Sequence, residues 1–243
     1  MSALGHYLEE EGIATVAISL IRPQTENTKP PRALWVPFEL GRPFGPPDDP
    51  AFQRRVILAA LRQLVRARGP VVIAEFADDD PRARPDLAWR PPALAPAPAG
   101  ATAEVLAARL ETEIISLRQA HRHWIAQHGR TTVGLSGLSI SDCGHYVADW
   151  LRGTAPPSPR EVFSPPLMLR FALDDIKAYY LEAAASGGGE PSSRQLSDWL
   201  WDQTVTGGAI QAMRRVCLTS EDERVKLIAG SFMVPAARVR DRG

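Results

Sequence analysis

Apolar positions in the first third of the chain fall into two periods. Ile13 to Ile21 (IATVAISLI) is almost continuously apolar and rich in β-branched residues, which predicts a strand covered on both faces, hence central and parallel. Ala33 to Phe38 (ALWVPF) predicts a second strand. Pro37 has no N–H to give a ladder, so it places that strand at an edge or ends it near Val36. Val71 to Phe76 predicts a third strand.

Between the second and third strands the period changes. Phe52, Val56, Ile57, Ala60, Leu61, Leu64 and Val65 recur at helical spacing, predicting one apolar face on a helix from Pro50 to Arg68. Asp48 or Asp49 as N-cap, Pro50 in the first turn and Gly69-Pro70 as the stop define its ends. Leu4, Tyr7 and Leu8 predict a short helix ending at Gly12, and RPQTENTKPP (22–31) reads as a surface connection or distorted turn. The whole is a strand, helix, strand unit of α/β type.

Asp78 to Ala101 is rich in proline and poor in aliphatic residues, so it predicts a linker or extended arm, which Trp89 would pin to a core or leave as a partner surface. Helical periodicity then returns. Residues 102–129 predict a long helix, 131–136 a short strand or loop, and 139–153 a helix capped by the Ser139–Asp142 run. Leu167 to Ala185 and the stretch after Ser192 or Ser193 predict further helices, with Gly207-Gly208 interrupting before Ala209–Leu218 and Glu221–Phe232. The expected fold class is α/β: a small, mainly parallel sheet flanked by helices, followed by a mostly helical C-terminal region. The expected divisions are 1–77, 78–101 and 102–243.

Composition narrows the function classes. Lys plus Arg and Asp plus Glu are 28 each, so net charge draws the chain neither to nucleic acid nor to an anionic membrane. With 44% hydrophobic residues, no run near the ~20 needed for a membrane span and no secretory leader pattern, a cytoplasmic globular protein is expected. Two cysteines make no disulfide framework and no thiolate zinc site.

Few residues offer chemistry. Cys143 falls in the first turn of a predicted helix, where backbone dipoles favour a thiolate, and His145 is near in sequence, so the pair is the candidate for nucleophilic catalysis. Against it, residues two apart on a helix diverge, and Asp142 would raise the thiol pKa. Cys217, between Val216 and Leu218, reads as core. His121, His123 and His128 lack the i, i+4 spacing of a helical metal pair and read as solvated or packed side chains. Gly134, Ser136 and Gly137 lack the hydrolase elbow.

The turn with Gly41, Arg42 and Gly45 follows the second strand, where open α/β sheets place ligands, and Arg42 would suit a carboxylate. It lacks a dinucleotide or P-loop fingerprint, and Asp48 and Asp49 stand where a phosphate would sit, so no cofactor is expected. Trp199, Trp201, Tyr179 and Tyr180 read first as core and second as a partner surface.

Gly12-Ile13-Ala14-Thr15-Val16-Ala17-Ile18 and the segment Phe38-Glu39-Leu40-Gly41-Arg42-Pro43 resemble the C-terminal part of the selenoprotein B family of glycine, sarcosine, betaine and D-proline reductases. That family has a Gly-Ile-Pro-Thr-Val strand, and Ala14 stands here in place of the proline. The resemblance spans residues 1–77. It implies an α/β fold and an oxidoreductase subunit acting in reductive C–N cleavage. The family's Sec/Cys-x-x-Cys motif, which precedes the matching strand, has no counterpart here, since no cysteine occurs before Cys143. No catalytic residue carries over.

The resemblance therefore implies redox thiols on a second polypeptide that also supplies the missing N-terminal half. The expected partners are a hetero-subunit or another copy, and a small-molecule substrate, with neither nucleic acid nor membrane. The alternative expectation is a binding or scaffold protein that keeps the fold without the chemistry.

Overall fold

The computed structural model describes residues 2–66, 71–96, 98 and 100–240. The chain divides into two units, residues 1–84 and 85–243, and the division falls inside the proline-rich segment. It is α/β, with a small three-stranded parallel sheet flanked by helices and a mostly helical C-terminal region.

In the N-terminal unit the order along the chain is α1 (Ser2–Glu10), β1 (Ala17–Ser19), α2 (Arg22–Thr28), β2 (Arg32–Trp35), α3 (Pro50–Arg66) and β3 (Val72–Glu75). The sheet order is β1-β2-β3, both pairs parallel, with Ala17 opposite Ala33 and Ala33 opposite Ile73. The first strand is not central as expected, and of the two alternatives for the second, the early end near Val36 is the one found. β1 is an edge, three residues long and half-buried throughout, whereas β2 is central, with Ala33, Leu34 and Val36 buried. Pro37 lies beyond the last ladder residue, so its missing N–H costs the sheet nothing.

One sheet face packs on α3. Leu34, Val36 and Phe76 meet Phe52, Val56 and Ala60, and the rings of Phe38, Phe52 and Phe76 form three tilted or edge-on pairs with centroids 5.5–5.9 Å apart. Each such pair adds about 0.5–1.5 kcal/mol beyond burial of area. The buried stripe is narrower than its periodicity predicted. Ile57, Leu61 and Val65 stay exposed, because three short strands cover only the Phe52–Val56–Ala60 line.

The opposite face carries α2, where the sequence predicts a surface connection or distorted turn. Pro23 near its start and the Arg22–Glu26 pair one turn apart support it, and Arg22 also reaches Glu75 and stacks over Trp35. The predicted Gly69-Pro70 stop of α3 lies outside the described residues, as do the last three residues of the tail.

The C-terminal unit contains α4 (Ala103–Ser116), α5 (Arg118–His128), α6 (Ile140–Leu151), α7 (Pro165–Ala185), α8 (Ser193–Asp198), α9 (Val205–Leu218) and α10 (Glu223–Ser231). The predicted single helix over 102–129 is two, parted at Leu117, and 131–136 is loop rather than strand. α7 runs through the core, burying Leu169, Leu173, Ile176, Tyr179 and Tyr180 against α4, α5 and α6. Trp89 is buried with this core and its indole N–H donates to the Ala184 carbonyl at 3.0 Å.

Ser192 caps α8 through a reciprocal capping box with Gln195. A π-turn over Trp199–Gln203 follows, and α9 then runs through Gly207-Gly208 instead of breaking there. Gly207 is needed for closeness: a Cβ there would collide with the Leu200 carbonyl.

Candidate functional site

A cleft of about 740 Å³ lies in the N-terminal unit, and five consecutive residues, Ala17 to Ile21, line it. The run takes in all of β1 (Ala17–Ser19), which is an edge strand, and continues into the two residues after it, so the cleft lies beside the free edge of β1.

Hydrogen bonding agrees with this placement. The Val36 N–H donates to the Ser19 carbonyl at 2.9 Å, so Ser19 and, two residues earlier, Ala17 turn their backbone groups to β2. Ile18, between them, turns its N–H and C=O outward. By that parity, and with β1 at the edge, neither group is used in the ladder.

The walls come from α1 and α2. α1 is held by the Glu9 carboxylate, which accepts from the Thr15 N–H (2.6 Å) and hydroxyl (3.0 Å) and pairs with Arg32. Those bonds and Arg32 hold the Glu9 pKa below its ordinary value, the Thr15 N–H being the largest cause. Ser2 donates to the Thr28 hydroxyl at 2.9 Å, and the Ser19 and Thr25 hydroxyls meet. His6 Nε2 lies 2.7 Å from the Lys29 carbonyl, which can only accept, so this nitrogen carries a proton. Exposed Ile21 and Leu40 supply apolar surface, and among the described residues no Arg or Lys lines the cleft.

The turn after β2 behaves as a structural turn. Gly41 and Gly45 have φ of +92° and +88°, and a Cβ on Gly45 would run into the Phe52 ring while one on Gly41 would meet nothing. Arg42 stands 4.0 Å from the buried Asp80, and the Asp49 carboxylate accepts from the Phe52 N–H at 2.9 Å, capping α3. Gly41, Arg42 and Gly45 are not among the residues bordering the cleft, which Leu40 alone reaches from this turn.

Cys143 and His145 share α6 but not a site. Cys143 is fully buried with its sulfur 3.3 Å from the Ser136 hydroxyl, whereas His145 is exposed and 3.4 Å from the Glu111 carboxylate. Burial pushes the Cys143 thiol up to about 11; the Ser136 hydrogen bond opposes this and the charges of Asp175 and Asp142 add to it. Burial raises Cys217 to about 11 as well. Both shifts favour the protonated thiol near neutral pH.

Of the three histidines on α5, His121 is buried and donates to Glu182 at 2.8 Å, His128 stacks on Trp124, and His123 bonds Gln127. Among the described residues no group of three or more His, Cys, Asp or Glu is placed to hold a metal ion. No described helix is long and apolar enough to cross a membrane.

Three buried carboxylates, Glu113, Asp175 and Glu182, belong to no motif in the sequence. Glu113 of α4 accepts from the Val205 and Thr206 N–H groups (2.8 and 2.9 Å) at the start of α9 and from the Thr206 and Tyr180 hydroxyls. Asp175 and Glu182 of α7 hold the α5–α6 loop: Asp175 takes the N–H groups of Gly134, Leu135 and Ser136, and Glu182 takes both threonine hydroxyls and the Thr132 N–H. The available signal was position, since each acid sits among apolar neighbours on a helix. Each has its acceptor capacity filled by the fold, so they brace the bundle instead of forming an acid–base site. The cleft had no such signal, because it depends on which strand lies at the edge.

No protein-family model, no curated protein and no solved structure matches this chain.

Proposed function

We propose that this chain is a binding subunit that works with a second polypeptide, and that in a reductase-type reaction on a small amine or thiol-linked substrate the redox thiols belong to that partner. The observation that carries this reading is the burial of both thiols, Cys143 and Cys217, each with its pKa near 11. Such a chain has no thiolate to offer a substrate at neutral pH. The resemblance of residues 1–77 to selenoprotein B supports the reaction class, and a sheet of only three short strands with an open edge supports a partner.

The test is affinity purification of the tagged chain from its own host, followed by reductive C–N cleavage assays on glycine, sarcosine, betaine and D-proline with dithiol as reductant. Cleavage is expected only when a copurifying cysteine- or selenocysteine-bearing polypeptide is present, and it should survive Cys143→Ser with Cys217→Ser. A chain that purifies as a lone monodisperse monomer from every extract would sink the reading.

A second reading, a scaffold without chemistry, is favoured by the cleft's side chains, whose hydroxyls and imidazole are engaged by the protein itself. A stable complex with no cleavage of any of the four substrates would favour it.

A further inference from the structure

We infer that the free edge of β1 is a docking site for an extended polypeptide segment, which adds to the sheet beside Ile18 as a fourth strand. This rests on the reading of the chain as a partner-dependent subunit and names the surface and the kind of ligand.

The backbone parity of the sheet makes the argument. Val72 donates to the Pro31 carbonyl and Phe76 to the Trp35 carbonyl, so Ala33 and Trp35 face β3 while Leu34 and Val36 face β1. On β1 the inward residues are Ala17 and Ser19, which leaves the N–H and C=O of Ile18 directed into the cleft. A donor and an acceptor on one residue of a strand edge match one residue of an added strand.

The other polar groups of the cleft narrow the ligand class. Ser2 is bound to Thr28, Ser19 to Thr25, and His6 to the Lys29 carbonyl. With no lysine or arginine among the described residues of the lining, a phosphate or carboxylate ligand meets no basic side chain there. What remains is the Gln24 carboxamide beside a backbone pair, in a cleft of about 740 Å³, within the roughly 300–1,000 Å³ typical of ligand sites, and carboxamide and backbone pair both suit a polypeptide backbone. Exposed Ile21 (42%) and Leu40 (72%) offer apolar contact for alternate side chains of the incoming strand.

A displayed library of random heptapeptides, panned on the full chain and counter-selected on an Ile18→Pro variant, provides the probe. Enriched peptides are resynthesised with single N-methyl groups at each position. N-methylation at alternate positions is expected to weaken binding at least tenfold and at the intervening positions to leave it unchanged. The Ile18 amide of the unmutated chain should exchange at least a hundredfold more slowly when peptide is bound. Ile18→Val, which keeps the N–H, should bind as the unmutated chain does.

Uniform tolerance of N-methylation, unchanged exchange at Ile18, or no peptide enriched over the proline variant would each overturn the inference. The outcome is separable from that of the subunit reading. A copurified partner that leaves the Ile18 amide exchanging fast ends the docking site and keeps the subunit, whereas peptide binding by a chain that captures no partner does the reverse.

Discussion

Asp175→Ala should unfasten the loop between α5 and α6 and cost the C-terminal unit about 3–5 kcal/mol, the scale of removing one partner from a buried charged network. The carboxylate is 1% exposed. Its Oδ1 accepts from Gly134 and Leu135 N–H at 2.8 Å each, and its Oδ2 from Ser136 N–H at 2.9 Å and Ser136 Oγ at 2.5 Å. Truncation orphans three consecutive backbone donors. A buried donor left unmade costs about 1–3 kcal/mol, so a rigid loop would lose roughly 3–9; relaxation of the exposed Leu135 tip toward water keeps the loss near the lower end.

Asp175→Asn separates charge from shape, since the amide keeps one acceptor and aims a donor at N–H groups; a loss of about 2–4 kcal/mol is expected. Ser136→Ala removes one hydroxyl donor and should cost about 1–2 kcal/mol. The assay is urea unfolding of the full chain by far-UV dichroism and tryptophan fluorescence, with amide exchange read at residues 134–136. Asp175→Ala within 1 kcal/mol of the unmutated chain, with those amides still protected, would refute the clamp.

Three other outcomes follow from the same geometry. Burial pushes the Glu182 carboxyl up, but hydrogen bonds from Thr131, Thr132 and His121 outweigh it and hold the pKa below the ordinary 4.5. The stability it contributes is therefore complete above pH 4.5 and lost as pH falls through the depressed value; an acid titration should show that loss, and Glu182→Gln should remove the step while lowering stability at pH 7. Iodoacetamide at pH 7.5 should label neither cysteine in the native chain and both in urea, because a thiol near pH 11 is almost wholly protonated; mass spectrometry counting one fast adduct would contradict this. Gly45→Ala should cost about 2–4 kcal/mol, through positive φ plus collision with Phe52, and Gly41→Ala about 1 kcal/mol through φ alone; equal midpoints in urea would show that the Phe52 contact does not matter.

Much of the architecture is local physics and was legible from residues. Asp49 and Ser139 cap their helices and Gly129 ends α5 in the left-handed conformation, because these signals act within one turn. The apolar run 13–21 marked a strand, and Pro37 marked the end of the next. α2 was not legible: seven polar residues carry no apolar stripe, and it is held by Arg22 to Glu75, 53 residues away.

The candidate site divides along the same line. Cys143 and His145 were paired by nearness in sequence, whereas α6 turns one into the core and the other to solvent. The buried acids Glu113, Asp175 and Glu182 were visible as charges among apolar neighbours, but their roles needed acceptors and donors from residues 39 to 93 positions apart.

The sequence by itself determined that strands and helices alternate before residue 77, that helices follow, and that only two thiols exist. Only the tertiary structure decided which strand is the edge. An apolar run reports that side chains will be covered, by α1, α2 and α3 here, and says nothing about whether the backbone has a neighbour on each side. Ile18 is half-buried by its side chain and open by its N–H and C=O, and the cleft along β1 follows from that difference.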